Sequence, residues 1–175
     1  MYIELKTERL LLCPISTKYL LSTHEYASDI ENTKYMENLP NKTIDETRHY
    51  LEGAEKSWNN DIVTVFEFAL ISKDGHIGAV GLYLDTESKD AEIGWIINAR
   101  YHNMGYMSEA VKEVIRFAFE NLGLKSVYAK CDQENKASER VMQKVGMKMV
   151  SNDTSRIDRK TGISKKEYRY SIKRE

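Results

Sequence analysis

A chain of 175 residues with 41% apolar and 30% charged side chains is long enough to bury a core and is expected to form one domain over residues 1–175. A formal net charge of −1 gives no global pull towards nucleic acid or a membrane surface, and no apolar run approaches the ~20 residues that cross a bilayer. Cys13 and Cys131 each stand alone in an apolar pattern, and the start MYIELKTERLLLCPI lacks the marks of a signal peptide; both argue against a disulfide framework or zinc site and for a reduced, cytoplasmic setting.

In chain order, Leu10 to Ile15 reads as a first strand ended at or just after Pro14. Thr17 to Ser28 and Ile44 to Trp58 read as helices, the second capped by Thr43 with Glu46 closing a capping box. Residues 24–61, from the end of the first helix through the second, carry nine acids and four bases, a local excess that would attract a cationic substrate if it were more than solvated surface. Val63 to Ile71, Ile77 to Leu84 and Ala91 to Asn98 read as three strands joined by turns at Lys73-Asp74-Gly75 and Lys89-Asp90.

A long helix follows. Met107, Ala110, Val111, Val114, Ile115, Ala118, Phe119 and Leu122 form one apolar stripe at helical spacing, and Gly123 ends it. Ser126 to Cys131 alternates as a strand. Asn135 caps a short helix over residues 136–145 with Ala137, Val141, Met142 and Val145 as its core face, and Met147 to Val150 and Glu167 to Ile172 read as the last strands, joined by a long polar loop. The order β-α-α-β-β-β-α-β-α-β-β predicts an α/β (α+β) domain: a mixed, mostly antiparallel sheet of about seven strands with helices on it.

The most informative stretch is Arg100 to Asn121, a polar loop with a glycine that runs from a buried strand straight into the long helix. Such a loop aims backbone N–H groups and the positive end of a helix at one point, where an anion such as a pyrophosphate is held. Together with Asn135-Lys136-Ala137-Ser138-Glu139-Arg140-Val141, this order resembles the GNAT superfamily of acetyl-CoA-dependent N-acetyltransferases, and within it the Rim-type branch of ribosomal-protein N-terminal acetyltransferases and their relatives. The matching positions are Thr7, Arg9, Leu10 and Leu12; then Glu92, Gly94 and Trp95; then Arg100, Asn103 and Gly105; then Glu109-Ala110; and last Asn135, Ser138, Arg140, Lys144 and Gly146.

The resemblance implies a central sheet with helices on both faces and acetyl-CoA as co-substrate without a metal. It implies that the amides from Asn103 through Met104, Gly105, Tyr106 and Met107 to Ser108 hold the CoA pyrophosphate, and that Arg100, Asn135 and Ser138 also bind the cofactor. Backbone groups of Ile96, Ile97 and Asn98 would pair with the pantetheine chain where the fourth family strand splays from the fifth. A homodimer is compatible with the family. Asn103 stands where the family has glycine, and asparagine tolerates the left-handed backbone best among other residues. Met142 stands where many members carry a proton-donating tyrosine, which turns attention to the Ser138 hydroxyl; the other reading of Ser138 is a helix-start residue satisfying its own backbone.

Direct attack on a thioester needs an unprotonated amine, a polarised carbonyl and a route for a proton. Glu92 is the first candidate for the base, acting through water and shielded by Trp95 and tyrosines; the alternative is a structurally paired strand glutamate. Glu67 and Tyr83 on neighbouring strands are held in reserve, and Tyr35 between the two early helices is a candidate for the acceptor pocket. His102 either touches CoA or faces solvent, and Tyr106 either shields the cofactor or packs locally. The expected activity is transfer of acetyl to a primary amine, a protein N-terminus or a small amine, in a ternary complex. A non-catalytic acyl-CoA sensor is the alternative.

Overall fold

The structure is a computed structural model that describes residues 3–158 and 161–174. Among the described residues the elements are β1 (Leu5–Lys6), β2 (Leu11–Pro14), α1 (Leu20–Ala27), α2 (Ile44–Trp58), β3 (Val65–Ser72), β4 (Gly75–Asp85), β5 (Asp90–Ile97), α3 (Tyr106–Glu120), β6 (Ser126–Asp132), α4 (Lys136–Lys144), β7 (Lys148–Ile157) and β8 (Ser164–Lys173). The strands form one sheet in the order β1-β2-β3-β4-β5-β6-β8-β7. Only β5 and β6 run parallel, and they are the pair joined through a helix, as a crossover requires.

The expected number of strands, about seven, rises to eight because Leu5–Lys6 folds back on β2. Thr7 makes that turn: its amide reaches Leu10 O at 2.9 Å, and its hydroxyl accepts from the Leu10 amide at 3.0 Å. The last two strands extend through most of the segment read as a polar loop. β7 lies at the sheet edge and its residues are largely solvent-facing, so no apolar alternation marks it. A cross-strand ion pair, Arg156 Nε to Glu167 Oε1 at 2.8 Å, ties it to β8 instead.

The two sheet faces differ. The α3 stripe packs on one face against Phe66, Phe68, Leu70, Val80, Leu82 and Ile93. Trp58, Phe66, Phe68 and Phe117 meet edge-on there, at ring separations of 5.2 to 5.9 Å. Met142 is fully buried in this core, so its apolar side chain is explained by packing, whereas Ala137 of the same helix is exposed, contrary to its expected core position. On the opposite face α2 sets Leu51 and Ala54 over Cys13, Ile15, Ala69 and Ala79 in a smaller cluster. Strand alternation puts Glu67, Gly81, Tyr83, Glu92 and Gly94 on this second face, beyond the edge of its apolar patch.

Candidate active site

The site begins where β5 and β6 part. They pair over only three rungs, from Asp90↔Ser126 to Glu92↔Tyr128, and beyond Glu92 β5 continues to Ile97 without a partner on that side. Asn98 N bonds Ile77 O of the β4 side at 2.9 Å, which fixes the alternation: even-numbered residues turn their backbone groups to β4, and Ile93, Trp95 and Ile97 turn theirs to the gap. The expectation that Ile96, Ile97 and Asn98 all offer backbone groups there is therefore corrected. Ile96 and Asn98 face β4, and the Ile97 carbonyl already accepts from Asn32 Nδ2 and lies 3.2 Å from His102 Nε2.

Both helices that follow the parallel pair start at its carboxyl ends, so the N-termini of α3 and α4 flank the open end of the gap. After one turn of tight helix at Ala99–Tyr101, the loop reverses through Asn103 at φ +61° and Gly105 at φ +82°. The left-handed position expected for Asn103 is observed. Among the described residues the amides of 103–108 bond no protein acceptor, and the first amide of α3 that does is Glu109, to Gly105 O at 3.1 Å. Met104 is exposed at the tip and Ser108 half-buried, while Tyr106 and Met107 turn their side chains into the core. Tyr106 packs locally: the Arg9 guanidinium lies 4.4 Å from its ring centre and Tyr101 meets its edge.

Thr7, Arg9 and Glu109, motif positions in the sequence, act together in the structure. Glu109 accepts from Thr7 Oγ1 at 2.5 Å, the Arg9 amide at 2.9 Å and Arg9 Nε at 2.7 Å, while Arg9 Nη1 donates to Met104 O at 3.0 Å. The turn after β1 thus clamps the loop and the first turn of α3 in one shape. Partial burial would lift the Glu109 carboxyl, but these donors outweigh it and hold it below the usual carboxylate range. Arg100 does not point at the loop amides: its guanidinium pairs with Glu25 of α1.

At α4 the Asn135 side chain is the cap, accepting from Ser138 N at 3.1 Å. The half-buried Ser138 hydroxyl makes no hydrogen bond to a protein group among the described residues, which leaves it available at the helix start. Glu92 lies on the second sheet face beside the gap, with its carboxylate 3.1 Å from Lys130 Nζ. Trp95 projects to the α3 side and does not shield it. Tyr35 uses its carbonyl to accept from Arg156 Nη2 at 2.9 Å, and its ring lies beneath Lys34.

Beside Glu92 on the second sheet face lies a buried carboxylate, Glu67, 5% exposed. Tyr50 of α2 donates to its Oε2 at 3.1 Å and Tyr83 of β4 donates to its Oε1. Burial pushes the Glu67 carboxyl up, partly offset by these two donors. Neither cysteine offers covalent chemistry: Cys13 is buried beside Tyr19, and burial, followed by nearby acids, pushes the Cys131 thiol up to about 12.

The family model of the acetyltransferase (GNAT) domain matches residues 9–148. The chain is 32% identical over 148 residues to the N-acetyltransferase YnaD of Bacillus subtilis strain 168, covering 83% of this chain and 82% of YnaD. It superposes on a GNAT-family acetyltransferase from Bacillus anthracis with a TM-score of 0.85, at 29% identity over 98% of both chains. The fold is shared with the microcin C7 self-immunity acetyltransferase MccE, solved with acetyl-CoA and AMP, at a TM-score of 0.84 and 20% identity over 96% of this chain and 94% of that one. The chain belongs to the GNAT family of acetyltransferases, whose reaction draws its acetyl group from acetyl-CoA.

Proposed function

We propose that this protein transfers acetyl from acetyl-CoA to a primary amine by direct attack in a ternary complex. The observation that carries the reading is the run of unbonded amides from Asn103 to Ser108, held by the Arg9–Glu109 clamp at the mouth of a strand pair that opens after three rungs. Six donors at the positive end of a helix suit a pyrophosphate. The gap offers the N–H groups of Trp95 and Ile97 to an extended pantetheine chain, and such a donor would polarise the thioester carbonyl.

In this reading the amine enters from the second sheet face, where Glu92 borders the gap and the α1–α2 region carries Glu25, Asp29, Glu31 and Glu37. That acid excess favours a cationic acceptor. Glu92 attracts the cationic amine and orients it beside the gap. Ser138, with an unengaged hydroxyl at the α4 start, bonds the departing CoA sulfur and relays to it the proton that the attacking amine loses, in place of the tyrosine that Met142 replaces.

Titration calorimetry tests the cradle. CoA is expected to bind, and Gly105→Ala to weaken it about tenfold or more, since a Cβ there sits at positive φ and 3.3 Å from Arg9 Nη2. Undiminished binding by the variant would remove the loop from the site. Glu92→Gln and Ser138→Ala are each expected to lower turnover at saturating acetyl-CoA; if neither does, their assignment is wrong.

A further inference from the structure

Glu67 is a buried carboxylate without a basic partner. The groups that face it are Tyr26 from α1, Tyr50 from α2 and Tyr83 from β4, and among the described residues no lysine, arginine or histidine pairs with it. A desolvated acid held by phenols alone is costly for folding and marks a functional position more often than a structural one. Its surroundings are shaped for access from one side. Tyr83 is 42% exposed, lies beside Glu92 in the cross-strand register, and reaches Glu67 by lying across Gly81. A Cβ on Gly81 would stand 2.5 Å from Tyr83 Oη and 2.9 Å from Glu67 Oε1, and Gly94 continues the same side-chain-free row on β5 towards the gap. The row Glu67–Gly81–Gly94 is therefore a strip with two glycines as its floor and the Tyr83 ring lying over it.

Resting on the amine-acetylation reading above, we infer that Tyr83, backed by Glu67, accepts the proton that the acceptor ammonium must lose before it attacks acetyl-CoA. The ammonium nitrogen hands a proton to Tyr83 Oη as Tyr83 passes its own to Glu67 Oε1. The neutral amine then attacks the thioester carbonyl, the C–N bond forms and the C–S bond breaks, and the second N–H proton goes to the CoA sulfur. Glu67 returns its proton to solvent when product leaves. Burial, then the charges of Glu67 and Glu92, push the Tyr83 phenol up, so it relays a proton without becoming a standing phenolate. Tyr83 is the residue that touches the substrate; Glu67 is a positioning residue that works through it. Glu92, exposed and paired with Lys130, is left to steer the cation inward.

The test is the pH dependence of kcat/KM for wild type, Tyr83→Phe and Glu67→Gln with the best acceptor of an amine panel, alongside CoA titration of each. At neutral pH each variant is expected to lose about 100-fold or more. The defect should shrink to less than about tenfold once pH passes the acceptor's own pKa, near 8 for a peptide α-amine, because free amine no longer needs the relay. CoA affinity stays at the wild-type value, which excludes misfolding. Gly81→Ala, which displaces Tyr83, should show the same pH-rescued loss. A defect that stays constant with pH, or a Tyr83→Phe enzyme with wild-type kcat/KM, overturns the inference. A wild type that binds CoA but acetylates no amine overturns the reaction itself, and the relay with it.

Discussion

At Glu67 a single side chain separates structural from chemical demand. Its carboxyl is pushed up by burial, so between the unfolded glutamate value, about 4.3, and the raised folded one the native state holds a proton that the unfolded chain has released. The wild type therefore loses stability as pH rises through that window. Glu67→Gln, which keeps a polar group beside Tyr50 and Tyr83 without the charge, is expected to match or exceed the wild-type Tm at pH 7 to 8. Thermal melts across pH measure this, and a lower Tm for the variant at neutral pH would give Glu67 a purely structural role. From the sequence alone Glu67 and Tyr83 are only reserve candidates, because a glutamate inside an apolar strand shows neither its depth nor the tyrosine that reaches it from the next strand. Asn103 was more legible, since its backbone conformation is local.

Among elements, the turn after β1 and the loop before α3 act as one unit through the Arg9–Glu109 pair, whose nitrogens and oxygens meet at 2.7 Å. Glu109→Gln is expected to cost about 1 to 3 kcal/mol in denaturant melts and to weaken CoA as well. The sign of its pH dependence is opposite to that of Glu67. The folded Glu109 value is depressed, so its contribution is present above the unfolded carboxylate range and is lost as pH falls through the folded value. A variant whose stability runs parallel to wild type through the acid range would contradict the clamp. The amphipathic α2 and α3 were readable from apolar spacing, as was the Thr43 cap, whose Oγ1 accepts from Glu46 N at 3.2 Å; the Glu46 carboxylate reaches one residue further back than a capping box, accepting from Lys42 N at 2.6 Å. The outer ends of β7 and β8 were readable, but not their extension through the polar segment between them, where pairing rests on backbone bonds and ion pairs between polar strands.

For the whole molecule, the sheet divides the labour. One face is filled by α3 and a continuous apolar core; the other sets glycines, tyrosines, the buried Glu67 and the partly exposed Glu92 beside the gap where β5 leaves β6. Order and spacing of the motifs sufficed for the sheet's connectivity and for the loop that feeds α3, because both depend on contiguous segments. The second face depends on register between β3, β4 and β5, which no single segment records. The account as a whole stands on catalysis by this arrangement, and its most direct test is thiol release from acetyl-CoA over a panel of peptide α-amines, polyamines and aminoglycosides, with the acetylated product identified by mass. The prediction is one mole of free CoA per mole of acetylated amine with at least one cationic member of the panel. Tight CoA binding with no amine acetylated, and thiol release no faster than in buffer, would contradict it.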